Sequence, residues 1–137
     1  MAFAILDTNV YIDYWERGAH LGELELLRKS FLVRHSAVVL SELRRGAHTA
    51  TARRTVESLR RLAGVTWAPT DADWWRAGEL VAKVGAARGW EVGKKRDFQN
   101  DALIGLTAVR HGATLITSNR ADFELLANEI PLKVWMI

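Results

Sequence analysis

Five oxygen-bearing side chains stand beside apolar stretches, where parallel strands or helices would begin or end: Asp7, Glu42, Asp101, Asn119 and Asp122. Carboxylates that converge repel one another, so they must be protonated or neutralised by a cation. Because the chain has no cysteine and no paired-histidine spacing, that cation should be hard, Mg²⁺ or Mn²⁺. Such an ion can activate water and stabilise the leaving oxygen of a phosphodiester. The residue types therefore favour metal-dependent nuclease chemistry, provided that the fold brings them together.

The first acid, Asp7, follows the short apolar run Ala2–Leu6 and is followed by two more residues typical of turns and caps, Thr8 and Asn9. A continuous apolar run of this length is typical of a strand that is buried on both faces. Asp7 is thus predicted at the carboxyl end of a buried strand. The alternative is that Asp7 only caps the helix that follows.

The second acid, Glu42, lies in a predicted helix that begins after Ser36. On a helical wheel Glu42 falls between Val38 and Val39, inside the apolar stripe. A carboxylate in that position is unfavourable unless something pairs with it. Glu42 is therefore either a site residue or a residue at the edge of the stripe that reaches water or a nearby arginine.

The third acid, Asp101, is predicted in the first turn of a helix over residues 100–111 that is apolar nearly all round and hence buried. The amino end of a helix favours negative charge, and a simple N-cap is the alternative interpretation. Residues 89–98 are predicted to be a loop. That loop would bring three cations close to Asp101, and a fourth follows the predicted strand over residues 113–117. These are candidate RNA contacts: Lys94, Lys95, Arg96 and Arg120.

Apolar strands that alternate with helices indicate an α/β domain with a mostly parallel sheet, in which sites form beyond the carboxyl ends of the strands. A length of 137 residues predicts one domain. The net charge of +3 is compatible with a polyanionic partner. The chain shows neither a signal peptide nor a membrane-spanning run, and the absence of cysteine fits a reducing compartment, so we expect a cytoplasmic protein without membrane contact.

Four short motifs, in this order and spacing, resemble the PIN-domain family and, more narrowly, the VapC-type toxins of type II toxin–antitoxin pairs. The motifs are Leu-Asp-Thr-Asn at 6–9, Ser-Glu-Leu at 41–43, Asn-Asp-Ala-Leu-Ile at 100–104 and Thr-Ser-Asn-Arg-Ala-Asp-Phe at 117–123. The resemblance implies a three-layer α/β/α sandwich and an endoribonuclease that depends on Mg²⁺ or Mn²⁺. It also implies an RNA substrate, a homodimer, and inhibition by a small cognate antitoxin.

Carried over residue by residue, the resemblance implies that Asp7, Glu42 and Asp101 are the three metal-site acids of the family, with Asp122 the candidate for a fourth metal ligand. Many PIN domains have an acid where this chain has Asn119, whereas VapC-like members often have Asn there and an acid three residues later. Asn119 and Asp122 are therefore expected to support the site, with Asp122 a ligand or an orienting group. Thr8 and Thr117 are expected to hydrogen-bond the carboxylates.

Three alternatives remain open at this stage. Asp7 could be the nucleophile of a phosphatase, although the haloacid-dehalogenase pattern has a second acid where this chain has Asn9. The chain could be a non-catalytic, PIN-like module that binds RNA or protein. Finally, the acids could be helix caps and nothing more, with the basic residues serving only solubility.

Overall fold

Five parallel strands form a single sheet in the order β3-β2-β1-β4-β5, and seven helices flank it. The structure is a computed structural model that describes residues 1–137. The strands are β1 (Ala2–Leu6), β2 (Phe31–Ser36), β3 (Thr66–Trp67), β4 (Thr114–Thr117) and β5 (Lys133–Met136). The helices are α1 (Thr8–Arg17), α2 (Leu21–Ser30), α3 (Ala37–Gly46), α4 (Ala50–Leu62), α5 (Asp71–Arg88), α6 (Val92–Arg110) and α7 (Arg120–Glu129).

Strand β1 lies in the centre of the sheet, where a continuous apolar run belongs. It pairs with β2 on one side and with β4 on the other, both in parallel. Ile5 and Ala4 are fully buried, and successive side chains of a strand point to opposite faces. Ile5 accordingly joins the larger core, on the face covered by α3, α5 and α6. Ala4 and Leu6 join a smaller core that includes residues of α1 and α2.

These two cores make the molecule a three-layer α/β/α sandwich with a parallel sheet, as the sequence predicts. All four pairs of neighbouring strands are parallel. The carboxyl ends of β1, β2 and β4 therefore meet at the same edge of the sheet, and Asp7, Ser36 and Thr117 lie there. None of the seven helices has the length and apolarity needed to span a bilayer.

Helix α6 corrects one sequence prediction, because it begins at Val92 and not near residue 100. The predicted loop over residues 89–98 is therefore wrong. Gly89, with φ of 62°, ends α5, and the next helix starts three residues later. The glycine and the run of cations suggested a loop, but Phe98 is fully buried and packs edge to face on Trp90, which fixes this stretch as helix.

The early start of α6 also corrects the placement of Asp101. This residue lies in the middle of the helix, with its backbone already inside the helical hydrogen-bond ladder. The prediction of a first-turn acid stabilised by the helix dipole is wrong, and so is the alternative that Asp101 is an N-cap. Neither the helix dipole nor capping explains a carboxylate in the interior of a buried helix, so the side chains that surround Asp101 must explain it.

Candidate functional site

A polar cavity of about 250 Å³ opens at the carboxyl edge of the sheet. No hydrophobic residue lines it; the lining residues are Asp7, Thr8, Asn9, Glu42, Lys94, Asp97, Asp101, Asn119 and Asp122. The structure thus brings together all five of the acidic and amide residues singled out from the sequence. They come from the end of β1, the middle of α3, the middle of α6, and the start of α7.

Asp7 is held at the end of β1 by three hydrogen bonds. Its own N–H donates to the carbonyl of Ile116 in β4 at 2.9 Å. Its carboxylate accepts from the Thr8 N–H at 2.8 Å and from the Thr117 hydroxyl at 2.7 Å. Asp7 therefore does cap α1, and it also faces the cavity, so the cap and the site are compatible. Burial raises the pKa of Asp7 to about 6, although the hydrogen bonds from Thr117 and Thr8 oppose that rise.

Glu42 lies in α3 and accepts a hydrogen bond from the Thr8 hydroxyl at 2.8 Å. No arginine forms an ion pair with it. The alternative in which Glu42 is neutralised by a neighbouring arginine is therefore wrong. Thr8 instead links the two carboxylates, because its backbone N–H donates to Asp7 and its hydroxyl donates to Glu42.

Asp101 has the most strongly perturbed carboxyl group of the site. Burial, together with the negative charges of Asp7, Asp122 and Glu42, raises the pKa of Asp101 to about 9. A side-chain hydrogen bond with Asp122 also favours the protonated form of Asp101. At neutral pH the metal-free cavity therefore holds a protonated carboxyl group at Asp101, which a divalent cation would have to ionise.

Asn119 connects the last two acids. Its side-chain amide donates to Asp101 and to Asp122, each at 3.4 Å, and its backbone N–H donates to the Thr117 hydroxyl at 3.0 Å. Asn119 is also the N-cap of α7, because its side-chain oxygen accepts from the Asp122 N–H. Its contacts are those of a residue that orients two carboxylates.

Lys94 enters the same cavity from the first turn of α6. Its ammonium group lies 2.6 and 2.8 Å from the two oxygens of Asp122, a contact that the sequence did not predict. Lys95, Arg96 and Arg120 do not line the cavity. Arg96 is exposed, and Arg120 pairs with Glu124 at 3.1 Å. As RNA contacts, all four cations remain predictions.

Sequence reasoning missed two residues that line the cavity, Asn9 and Asp97. Asp97 precedes Asp101 by one helical turn, so Lys94, Asp97 and Asp101 lie along one face of α6. This spacing of three and four residues is visible in the sequence. The spacing predicts a shared helix face only if residues 92–101 are helical, and the sequence predicts a loop over residues 89–98.

The donor set of the cavity fits a hard divalent cation. Carboxylate, amide and hydroxyl oxygens are the ligands of Mg²⁺ and Mn²⁺. Burial, together with the charges of neighbouring carboxylates, raises the pKa of Asp7 and of Asp101, and a bound cation would favour their ionised forms. In their present orientation, no three of the acidic side chains are close enough together to coordinate one ion. Mg²⁺ typically keeps several waters and few protein ligands, so an open arrangement of this kind is suited to it.

The PIN domain model matches residues 4–129. This chain belongs to the PIN domain family. No curated protein sequence matches it, but solved structures do. A chain of VapBC2 from Rickettsia felis, bound to a DNA fragment from its promoter, is 25% identical, with a TM-score of 0.68 and 98% of each chain covered. A chain of VapBC-1 from nontypeable Haemophilus influenzae is 23% identical, also with a TM-score of 0.68, and 98% of this PIN chain and 97% of the other are covered.

A more distant PIN-fold neighbour comes from a differently named system. A chain of FitAcB from Neisseria gonorrhoeae is 19% identical, with a TM-score of 0.63 and 96% of each chain covered. At that identity the likeness shows the fold alone. The family predicted from the four sequence motifs is confirmed. The VapBC2 neighbour, at 25% identity, supports its narrower VapC-type form.

Proposed function

We propose that this PIN-domain chain is a Mg²⁺- or Mn²⁺-dependent endoribonuclease and the toxin of a toxin–antitoxin pair. The observation that carries the proposal is the cavity itself, in which carboxylates from four separate elements converge with no apolar lining. PIN domains of VapC-type toxins are generally nucleases. The VapBC names of the solved neighbours support the narrower role, although they describe those proteins and not this chain.

In this proposal the protein holds and orients the carboxylates before any substrate arrives. Thr117 and Thr8 fix Asp7, Thr8 fixes Glu42, and Asn119 fixes Asp101 and Asp122. The ligands of the cation would be Asp7, Glu42, Asp101 and Asp122. When bound, the cation would supply an activated water and stabilise the negative charge of the phosphodiester. No covalent intermediate with a protein side chain is required.

The proposed partners are an RNA, a small antitoxin and a second copy of the chain. Of the predicted RNA contacts, Lys94 lines the cavity, and Arg96 is exposed on α6, next in sequence to the cavity-lining Asp97. For the antitoxin we propose a different surface, an apolar groove of about 620 Å³ lined mainly by α1, α2 and β2. Leu21 and Leu62 line that groove and are more than half exposed, an arrangement that is typical of an interaction site.

The experiment that tests the nuclease proposal uses the purified chain, freed of any partner, with total RNA as substrate. Cleavage should require added Mg²⁺ or Mn²⁺, stop with EDTA, and disappear in Asp101→Asn. The matched control is Asp71→Asn, which makes the same change at an exposed position at the start of α5. If calorimetry shows that the wild-type chain binds the cation and yet cuts no RNA, the proposal fails and the chain is a binding module.

A further inference from the structure

The cavity contains a charge that a metal site does not need, the ammonium group of Lys94. Five carboxylates and one cationic side chain line the cavity. That cation lies against both oxygens of Asp122, at 2.6 and 2.8 Å, which is the length of a charge-assisted hydrogen bond. The Asp122 side chain is only 11% exposed and the Lys94 side chain is 35% exposed, so this contact is partly shielded from water and from salt.

Lys94 has a second partner within reach. Its ammonium group lies 5.1 Å from the centre of the Trp90 ring, within the range of a cation–π interaction. Trp90 is itself fixed, because it packs edge to face on the buried Phe98 with 4.9 Å between ring centres. A lysine has a flexible four-carbon stem, so its ammonium group can leave Asp122 while the stem stays beside the indole ring.

We propose that Lys94 competes with the divalent cation for Asp122. In the metal-free protein the Lys94 ammonium group binds the Asp122 carboxylate, and it must leave that carboxylate before the cation can bind. This inference rests on the proposed function, since it concerns the same cavity. The Lys94 ammonium group contacts both oxygens of Asp122, so a divalent cation that approaches this carboxylate is repelled by a positive charge already bound there. Lys94 therefore stabilises the empty site and weakens the affinity for metal.

The test is a calorimetric titration of the metal-free chain with Mn²⁺ and with Mg²⁺, at fixed pH and ionic strength. Lys94→Met removes the ammonium group but keeps a long, unbranched side chain that can lie along Trp90. The dissociation constant of Lys94→Met should be about tenfold lower than that of the wild type, because one charge-assisted hydrogen bond no longer has to be broken. Lys94→Arg keeps a cation and should bind like the wild type.

Lys95→Met is the matched control. It makes the same change in net charge one residue away, but the Lys95 stem lies beside Gly85 and does not line the cavity. Its dissociation constant should stay within about twofold of the wild-type value, because a charge outside the cavity is screened from the cation by solvent and salt.

Three outcomes would overturn the inference. Lys94→Met could bind the cation no more tightly than the wild type, or Lys95→Met could gain as much affinity as Lys94→Met, which would make the effect one of net charge. If neither the wild type nor Lys94→Met binds Mn²⁺ or Mg²⁺, the proposed metal site fails and the inference falls with it. Normal binding by the wild type with no gain in Lys94→Met leaves the proposed function standing and refutes only the role of Lys94.

Discussion

Asp101→Asn should make the metal-free protein more stable at neutral pH, although it removes a proposed site residue. In the unfolded chain Asp101 ionises with its ordinary pKa of 3.8, whereas burial and the neighbouring carboxylates raise its pKa in the folded protein to about 9. Between these values the folded state binds a proton that the unfolded state has lost. Stability therefore falls as the pH rises through this range.

The magnitude follows from the two pKa values. Each pH unit between 3.8 and 7 lowers the free energy of unfolding by about 1.4 kcal/mol, which amounts to about 4 kcal/mol at pH 7. Asparagine has nearly the shape of the protonated acid and does not ionise, so the variant avoids this loss. We expect Asp101→Asn to gain several kcal/mol at pH 7 and almost nothing at pH 4.

The assay is denaturant unfolding in EDTA at several pH values, with the free energy taken from the midpoint and the slope. Asp71→Asn is the control, because it makes the same change at an exposed position outside the cavity, at the start of α5, and should stay within about 0.5 kcal/mol of the wild type. If Asp101→Asn is no more stable than the wild type at pH 7, or if the difference does not grow with pH, the picture of mutually repelling carboxylates is wrong.

Three further predictions concern the supports of the site. Saturating Mg²⁺ should raise the free energy of unfolding by about 3 kcal/mol at a hundredfold excess over its dissociation constant, and EDTA should reverse the gain in a thermal melt. Thr117→Val removes the hydroxyl that donates to Asp7, so it should destabilise the protein by about 1 to 3 kcal/mol in denaturant unfolding and lower RNA cleavage; unchanged values would deny this support. Phe98→Ala leaves a cavity beneath Trp90 and should cost about 3 to 5 kcal/mol; a loss below 1 kcal/mol would show that α6 is not anchored there.

The sequence predicts the fold best where the hydrophobic pattern of a segment and the polar residues at its end indicate the same element. The apolar run before Asp7 does form the central strand, since only a strand covered on both faces tolerates such a sequence. Position and pattern also predict Glu42 as a site residue, because a carboxylate inside an apolar stripe is unfavourable without a partner. The sequence predicts that Thr8 hydrogen-bonds a carboxylate of the site, but not that its hydroxyl donates to Glu42.

The start of α6 was not predictable in the same way. Gly93 is a poor helix former, and the three cations at 94–96 show no apolar periodicity from which a buried helix could be predicted. What fixes the helix is the packing of Phe98 against Trp90 and the core. Tertiary packing thus overrides local preference, as it often does for helices. The contact between Lys94 and Asp122 depends on that packing, so no reasoning from spacing alone could reach it.

The hydrogen bond between Thr117 and Asp7 joins residues 110 positions apart, and β1 lacks one of its two neighbouring strands until β4 exists. A nascent chain therefore carries Asp7 and Glu42 long before Thr117, Asn119 and Asp122 are made. During synthesis, β1 stays an open edge and the carboxylates remain apart. Assembly of the site is consequently among the last events of translation, and a chain released before β4 is made lacks the complete site.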